Sequence, residues 1–274
     1  MFTGVFGELT RVSHRARPSL VRIQVDGKVF KPFSRYLLGV GETLFGALNP
    51  HPYWEWPYRV IRFPLYLLFG HLDLSSSRGS GFFVADDLVL TCAHVIDNAA
   101  EIRCQLDDGR LLNAEIVSND VERDLALLRV TGLKGPQPPP LQLRRTAISP
   151  GEVALALGYP SREPIRDPMV PRAPFDEDKQ IPNPRVTVGV VSAVNVQLGN
   201  ALTRYVELDA ALNPGNSGGP ILGLDGQVMG VATMVSVGKE NEGYAVPAET
   251  VLAIFAEHLG EGRQSKREAP ESRE

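Results

Sequence analysis

The chain has 274 residues, 43% of them hydrophobic, which is enough to bury a sizeable core in one large domain or two small ones. A formal net charge of −4 and a pI near 5.8 argue against a basic nucleic-acid-binding surface. The five histidines and two cysteines follow no metal-ligand spacing, so we expect no metal and no cofactor. Cys92 and Cys104 are too few for a disulfide framework, and we expect both thiols to be reduced.

The first twenty residues lack the basic start and the long apolar run of a secretory signal. The most apolar stretch, within WEWPYRVIRFPLYLLFG at 54–70, contains two arginines and is too short to span a bilayer. Residues 50–70 either form a peripheral membrane contact through their interfacial aromatics or pack as an apolar loop. The chain is therefore predicted to be cytoplasmic or peripherally membrane-associated.

In chain order, residues 1–18 are predicted to be an N-terminal arm, and residues 19–30 a first strand. Residues 31–77 are too long for an ordinary connection and indicate an insertion. Beyond residue 78, short β-branched runs alternate with Gly, Asp, Asn and Pro, which is typical of an all-β barrel or sandwich. Asp-Gly pairs at 107–109 and 224–227 predict hairpins. The first strand set, with its insertion, occupies residues 19–135.

Three consecutive prolines mark residues 136–150 as a stiff, extended linker between two strand sets. The second strand set is predicted to span 151–260 and to end in a helix over 248–260, where apolar residues recur at helical spacing. Residues 160–185 form a second insertion, rich in proline and charge, that is expected to be a surface loop. The charged tail at 261–274 is predicted to be disordered.

The sequence NPGNSGGP at 213–220 surrounds Ser217 with three glycines. A serine hydroxyl becomes a nucleophile only when a base accepts its proton and a third group orients that base. LTCAHVI at 90–96 places His94 after an apolar strand, and RDLALLRV at 123–130 places Asp124 directly before another. Taken singly, the histidine could be structural, the aspartate a turn cap and the serine part of a turn.

The glycines favour the catalytic interpretation, because one turn needs one glycine and this segment has three. A backbone free of side chains can curl its N–H groups around one point, as an oxyanion hole requires, and Gly215 and Ser217 are the natural donors. The order His, Asp, Ser is that of two-barrel proteases. The active site is therefore predicted to lie in the cleft between the two strand sets.

The motifs TCAHVI, DLALLRV and DAALNPGNSGGPIL, with GSGFFV before the first and GYAVPAETV after the last, resemble the protease domain of the HtrA (Deg) family. The resemblance covers about residues 78–256 apart from the second insertion. It implies two six-stranded antiparallel β-barrels of the chymotrypsin type, followed by a C-terminal helix. It also implies that His94 is the general base, that Asp124 orients it, and that Ser217 is the nucleophile with Gly215 in the oxyanion hole.

Single positions of this sequence can also be compared with the residues that determine specificity and activation in the wider trypsin-like superfamily. Ala211 stands six positions before Ser217, where a trypsin has the acid that binds Lys or Arg. Asn216 replaces an aspartate that would pair with a newly cut N-terminus, so activation by cleavage is not expected. Leu212 and the strand GVATMVS at 230–236 are predicted to line the primary pocket, with substrate pairing as an added strand along Thr233, Met234 and Val235.

The sequence thus predicts a serine endopeptidase of protein quality control that cleaves unfolded or damaged proteins after small or medium aliphatic residues. The alternative is a catalytically silent or autoinhibited chymotrypsin-fold binding module whose cleft is blocked by an insertion. We expect no PDZ domain in this chain and a shortened loop, QLGNALT, where the family has a longer regulatory one. Phe2 and Phe6 either support a homotrimer or are ordinary core residues.

Overall fold

The computed structural model describes residues 2–27, 77–160, 183–198, 203–235 and 242–260. Within these ranges the chain forms twelve strands and two α-helices. The predicted insertions, the tail and the apolar stretch at 50–70 lie wholly or largely outside the described residues. No helix in the described ranges is long and apolar enough to cross a membrane.

Six strands form the first closed antiparallel barrel, in the order β1-β2-β3-β6-β5-β4. They are β1 (Leu20–Gly27), β2 (Ser77–Phe83), β3 (Leu88–Thr91), β4 (Ala99–Leu106), β5 (Leu111–Asp120) and β6 (Leu125–Thr131). The hairpin between β4 and β5 contains the Asp-Gly pair, as predicted. Large apolar side chains such as Phe82, Leu90 and Leu127 are fully buried.

The second barrel is also closed and antiparallel, in the order β10-β11-β12-β9-β8-β7. Its strands are β7 (Val153–Gly158), β8 (Arg185–Gln197), β9 (Arg204–Leu208), β10 (Pro220–Leu222), β11 (Val228–Val235) and β12 (Gly243–Pro247). The second Asp-Gly pair joins β10 to β11. Two closed six-stranded barrels confirm the fold class that the resemblance implied, and the short alternating strands with turn residues between them agree with it.

The segment between the barrels bonds to both of them. The Leu141 N–H donates to the Phe83 carbonyl of the first barrel at 2.8 Å. The Arg144 N–H donates to the carbonyl of Val228 at the start of β11 at 2.9 Å, and Leu143 forms a parallel bridge with Val228. These bonds fix the extended segment across the two barrels.

The sequence analysis missed the helix at the N-terminus. Helix α1 (Phe2–Ala16) occupies most of the predicted arm. Leu9, Val12 and Ala16 recur at helical spacing and pack against the core, which explains why the segment is helical. The alternative that Phe6 is a core residue is wrong, since its side chain is 65% exposed.

The C-terminal helix is present but shorter than predicted. Helix α2 (Ala248–Phe255) ends at its last fully buried anchor, Phe255. The Phe255 carbonyl accepts from the N–H groups of His258 and Leu259, so the chain closes into turns instead of continuing the helix. Beyond Phe255, Leu259 packs against the core but is only partly buried, which gives little support to another helical turn.

Candidate active site

Strand pairing brings His94 and Asp124 to the same end of the first barrel. Thr91, the last residue of β3, pairs with Ala126 near the start of β6. His94 follows β3 on a short 3-10 turn, and Asp124 immediately precedes β6. Asp124 has a φ of +56°, a left-handed backbone that aspartate tolerates better than most residues.

The Asp124 carboxylate holds both the ring and the backbone of His94. Its Oδ1 accepts from the His94 backbone N–H at 2.9 Å, and its Oδ2 lies 2.8 Å from His94 Nδ1. The carboxylate can only accept, so Nδ1 carries the proton of the neutral ring and Nε2 carries the lone pair. The His94 side chain is 50% exposed, which leaves that nitrogen accessible.

One contact from the second barrel completes the surroundings of Asp124. Thr233 Oγ1 donates a short hydrogen bond to Asp124 Oδ2. Burial alone raises the pKa of the Asp124 carboxyl, but hydrogen bonds from His94 and Thr233 outweigh burial and leave that pKa below its ordinary value. The carboxylate is therefore ionised at neutral pH.

Ser217 is joined to the same group through Thr233. Ser217 Oγ donates to the Thr233 carbonyl at 3.1 Å. Within the part of the chain that the structure describes, no hydrogen bond joins Ser217 Oγ to the His94 ring. Such a contact is often loose without a substrate and tightens when one is bound.

The segment around Ser217 is tightly fitted backbone. Gly218 has a φ of +85°, and a Cβ there would lie 2.1 Å from the Ser80 carbonyl oxygen. A Cβ at Gly219 would lie 2.2 Å from the Leu157 carbonyl oxygen. The close glycine packing, inferred from the sequence as an oxyanion curl, thus also reflects contact with β2 and β7.

From Gly215 to Gly219, the backbone hydrogen bonds of this loop leave two N–H groups available. The N–H groups of Asn216, Gly218 and Gly219 donate to the carbonyls of Asn213, Ala232 and Asn216, respectively, at 2.7–2.9 Å. By contrast, the N–H groups of Gly215 and Ser217 donate to no acceptor in the described ranges. These are the two donors named from the sequence for the oxyanion hole.

The residues predicted to bind substrate lie beside this loop. Leu212 is half-buried, and a Cβ added to Gly243 of β12 would lie 2.7 Å from its Cδ1. The backbones of Met234 and Val235 pair with Tyr244 and Gly243 of β12. On the other side of β11, pairing with β10 ends at Val231, and Ala232 still exchanges backbone hydrogen bonds with Gly218 and Gly219. Beyond Ala232, no strand in the described ranges pairs with that edge.

Cys92 lies beneath the His94–Asp124 pair and is fully buried. Its Sγ contacts the Ala232 carbonyl at 3.2 Å. Burial raises the pKa of the Cys92 thiol well above its ordinary value, and the nearby Asp124 carboxylate raises it further. Potential ligand atoms of Cys92, His94 and Asp124 lie within 4.8 Å of one another. The carboxylate already engages the His94 ring, and the expectation of no metal stays a prediction.

The sequence analysis missed two hydroxyl contacts of this region. Thr233 was expected to contribute only backbone to substrate pairing, whereas its hydroxyl contacts Asp124. Ser80, in the GSG sequence at 79–81, donates from its hydroxyl to the Gly215 carbonyl at 2.7 Å. Two glycines flanking a serine in a strand were the available signal, because they indicate close backbone approach.

Comparisons with known proteins agree with this geometry. Residues 79–231 match the family model of the trypsin-like peptidase domain. The chain is 32% identical over 203 residues to a DegP-like serine endoprotease of Halomonas elongata, covering 72% of this chain and 38% of that protein. It is 31% identical over 207 residues to serine protease HTRA1 of Xenopus laevis, covering 71% and 40%, respectively.

A solved structure of the HtrA-type protease AlgW with a tripeptide superposes with a TM-score of 0.61 at 24% identity, over 93% of this chain and 64% of that one. That likeness supports the fold. The present chain spans about 40% of the length of the curated relatives. The family-model match and the curated relatives establish that this chain belongs to the trypsin-like peptidase family, in its HtrA branch.

Proposed function

We propose that this chain is a serine endopeptidase in which Ser217 is the nucleophile, His94 the general base and Asp124 the orienting acid. One observation carries the proposal: the Asp124 carboxylate binds both Nδ1 and the backbone N–H of His94. That double contact fixes the position and tautomer of the ring, as a general base requires. Thr233 links this pair to Ser217.

In the proposed reaction, substrate binding turns Ser217 Oγ from the Thr233 carbonyl toward His94. His94 Nε2 accepts the hydroxyl proton as Oγ attacks the scissile carbonyl carbon. The N–H groups of Gly215 and Ser217 stabilise the oxyanion, and His94 then protonates the departing amine. Water, deprotonated by the same ring, releases the acyl group and regenerates Ser217.

The proposed substrates are unfolded or damaged polypeptides cut after small or medium aliphatic residues. Leu212 supplies an apolar wall, and Ala211 provides no charge to attract Lys or Arg. The open edge of β11 at Thr233–Val235 offers backbone groups to an extended chain, so that substrate adds as a strand. Relatives named as a serine endoprotease and a serine protease support the peptidase activity itself.

Labelling of the folded protein with a fluorophosphonate tests the proposed nucleophile. We expect the wild-type chain to be labelled and the Ser217→Ala variant not to be. Ser192→Ala, at an exposed position of β8, is the matched control and should be labelled like the wild type. Labelling that persists in Ser217→Ala, or is absent from all three proteins, would contradict the assignment.

An autoinhibited form is the second candidate, favoured by the bond of Ser217 Oγ to Thr233 instead of His94. Gly158 and Arg185 pair at the ends of β7 and β8, so the segment between them starts and ends side by side. A short Gly-Ser linker can therefore replace residues 161–182. Casein cleavage that appears only after this replacement would establish autoinhibition, whereas equal cleavage before and after would rule it out.

The partners and the location are proposals of the same kind. We propose peripheral membrane contact through residues 50–70, a cytoplasmic or peripherally membrane-associated location, and a homotrimer. Flotation with anionic liposomes, with and without residues 50–70, tests the membrane contact. Sedimentation equilibrium of the full chain tests the trimer, for which a monomeric mass would be the contrary result.

A further inference from the structure

Ser80 of β2 is fully buried, and its hydroxyl, N–H and carbonyl all form hydrogen bonds outside the backbone pairing of β2. Its hydroxyl donates to the Gly215 carbonyl at 2.7 Å and accepts from the Tyr159 N–H at 2.8 Å. Its backbone N–H donates to the Ser217 carbonyl at 2.8 Å, and its carbonyl accepts from Thr91 Oγ1 at 2.8 Å. Ser80 therefore joins the two barrels: its hydroxyl and N–H bond to the second barrel, and its carbonyl bonds to Thr91 of the first.

The direction of the Ser80 hydroxyl proton follows from its partners. A serine hydroxyl has one proton to donate. Since the Tyr159 N–H can only donate, it uses an acceptor lone pair of Ser80 Oγ. The Gly215 carbonyl can only accept, so it takes the one proton. The two contacts are complementary and orient the hydroxyl without alternatives.

Ser80 contacts the loop on both sides of the Ser217 N–H, which is one of the two proposed oxyanion donors. The Gly215 carbonyl belongs to the peptide unit just before Asn216, and the Ser217 carbonyl to the unit just after Ser217. The peptide unit between them carries the Ser217 N–H, and its own carbonyl, that of Asn216, accepts from the Gly219 N–H at 2.9 Å. Ser80 therefore holds the two peptide units that flank the donor.

The remaining contacts connect this loop with the other half of the site. Thr91 ends β3, which leads into the turn that carries His94. Through the Ser80 carbonyl and hydroxyl, the strand before His94 is joined to the loop of Ser217. Tyr159 adds the end of β7 to the same network. A displacement of Ser80 would thus alter the loop and its distance from His94 together.

We propose that Ser80 is a positioning residue that preorganises the oxyanion hole, an inference that rests on the proposed peptidase activity. Without its hydroxyl, the buried Gly215 carbonyl loses its donor, and rotation of that peptide unit toward another donor becomes favourable. Such rotation would turn the neighbouring N–H groups of Gly215 and Ser217 away from the oxyanion. Binding of the ground state would be little affected, because these donors matter most in the transition state.

The test compares Ser80→Ala with Ser19→Ala in the full chain. Ser19 is also fully buried and donates from Oγ to a backbone carbonyl, that of Pro139, at 2.5 Å, so its variant controls for loss of a buried hydroxyl. The substrate is a blocked Ala-Ala-Val thiobenzyl ester. The matching peptide boronic acid, which forms a tetrahedral adduct with the serine, reports on the oxyanion hole itself.

For Ser80→Ala we expect kcat to fall about 10-fold to 100-fold, less than for outright loss of an oxyanion donor. KM should change less than about twofold, and boronic acid affinity should fall about as much as kcat. Ser19→Ala should leave all three unchanged. A fall in Tm without a change in kcat or boronic acid affinity would reduce Ser80 to a structural role and overturn the proposal.

Ser80→Cys keeps the test decisive if Ser80→Ala does not fold. A thiol fills nearly the same space but is a weak donor, so kcat should again fall, by about 10-fold. An unchanged kcat in this folded variant overturns the proposal. If the wild-type chain neither cleaves the ester nor reacts with fluorophosphonate, the proposed peptidase function fails instead. That outcome is distinguishable from failure of the Ser80 proposal because it is seen in the wild-type chain itself.

Discussion

In the first barrel, His94 and Asp124 are positioned by side-chain hydrogen bonds, and the His94 side chain is half exposed. In the second barrel, Ser217 lies in a loop fixed by backbone hydrogen bonds and by glycines without room for a side chain. The geometry of the first half therefore depends on single polar atoms, and removing one should disturb it. The geometry of the second half depends on close packing at glycines, and adding a methyl group should disturb it.

This difference matches the chemistry proposed for each half. A general base must exchange protons with substrate and water, so its ring has to be accessible while one nitrogen is held. Oxyanion donors must not move as charge develops, so they are best supplied by a rigid backbone. The two halves meet at Thr233, whose carbonyl contacts Ser217 and whose hydroxyl contacts Asp124.

The largest expected effect comes from Asp124→Asn. The amide retains the shape of the carboxyl group but no longer selects the Nδ1–H tautomer of His94, so kcat should fall on the order of 10³-fold to 10⁴-fold. Steady-state kinetics with the thiobenzyl ester measure it. Asp225→Asn, in the β10–β11 hairpin, is the control. A loss below tenfold for Asp124→Asn would show that the side-chain half does not orient the base.

Gly218→Ala tests the backbone half. Overpacking against Ser80 and a left-handed φ together should cost about 3 kcal/mol, which lowers Tm by about 6–12 °C. Gly226→Ala is matched in φ, at +78°, but has nothing within 4 Å of its added Cβ. It should cost only about 1 kcal/mol. Equal shifts in Tm for both variants would show that close packing around Ser217 is unimportant.

Thr233→Val tests the connection between the halves. Loss of the Oγ1 donor to Asp124 should lower kcat/KM about tenfold, the equivalent of roughly 1.4 kcal/mol. Thr131→Val is the control, since Thr131 Oγ1 donates a weaker bond of 3.3 Å to a backbone carbonyl at an exposed strand end. It should leave kinetics unchanged. A Thr233→Val enzyme as active as the wild type would mean that His94 alone positions Asp124.

The smallest effect concerns stability in acid. The folded pKa of Asp124 is lower than the unfolded one, so its ionisation stabilises the fold above the ordinary carboxyl range, near pH 4. That contribution is lost as pH falls through the folded pKa. In urea unfolding, the stability difference between wild type and Asp124→Asn should therefore shrink below about pH 4. A difference that is constant from pH 7 to pH 2.5 would contradict the lowered pKa.

The three proposed catalytic residues could be recognised from the sequence because each stands in a distinctive setting. His94 and Asp124 border apolar strands, and Ser217 lies among glycines. The two glycines that flank Ser80 indicate close backbone approach but do not indicate which segment approaches. The bond of Ser80 to Gly215 joins residues 135 apart, and no local pattern specifies such a contact.

Helix α1 was not predicted from the sequence, for a different reason than the contacts of Ser80. Its core-facing positions, the partly buried Leu9 and the buried Val12 and Ala16, are at helical spacing, so the signal was present in the sequence. It was overlooked because two glycines and few strong helix formers weaken the local propensity. Packing against the barrels stabilises the helix, and that packing exists only in the folded molecule.

By itself, the sequence determined the all-β class, the two strand sets and the residue types of the site, because alternation, turn residues and glycine spacing are local features. Only the tertiary structure decided which atoms meet. Strand register brings His94 to Asp124, and barrel docking places Ser80 against Gly215 and Thr233 between Ser217 and Asp124. Hydrogen bonds act over about 3 Å, so contacts between distant segments depend on how the whole fold closes.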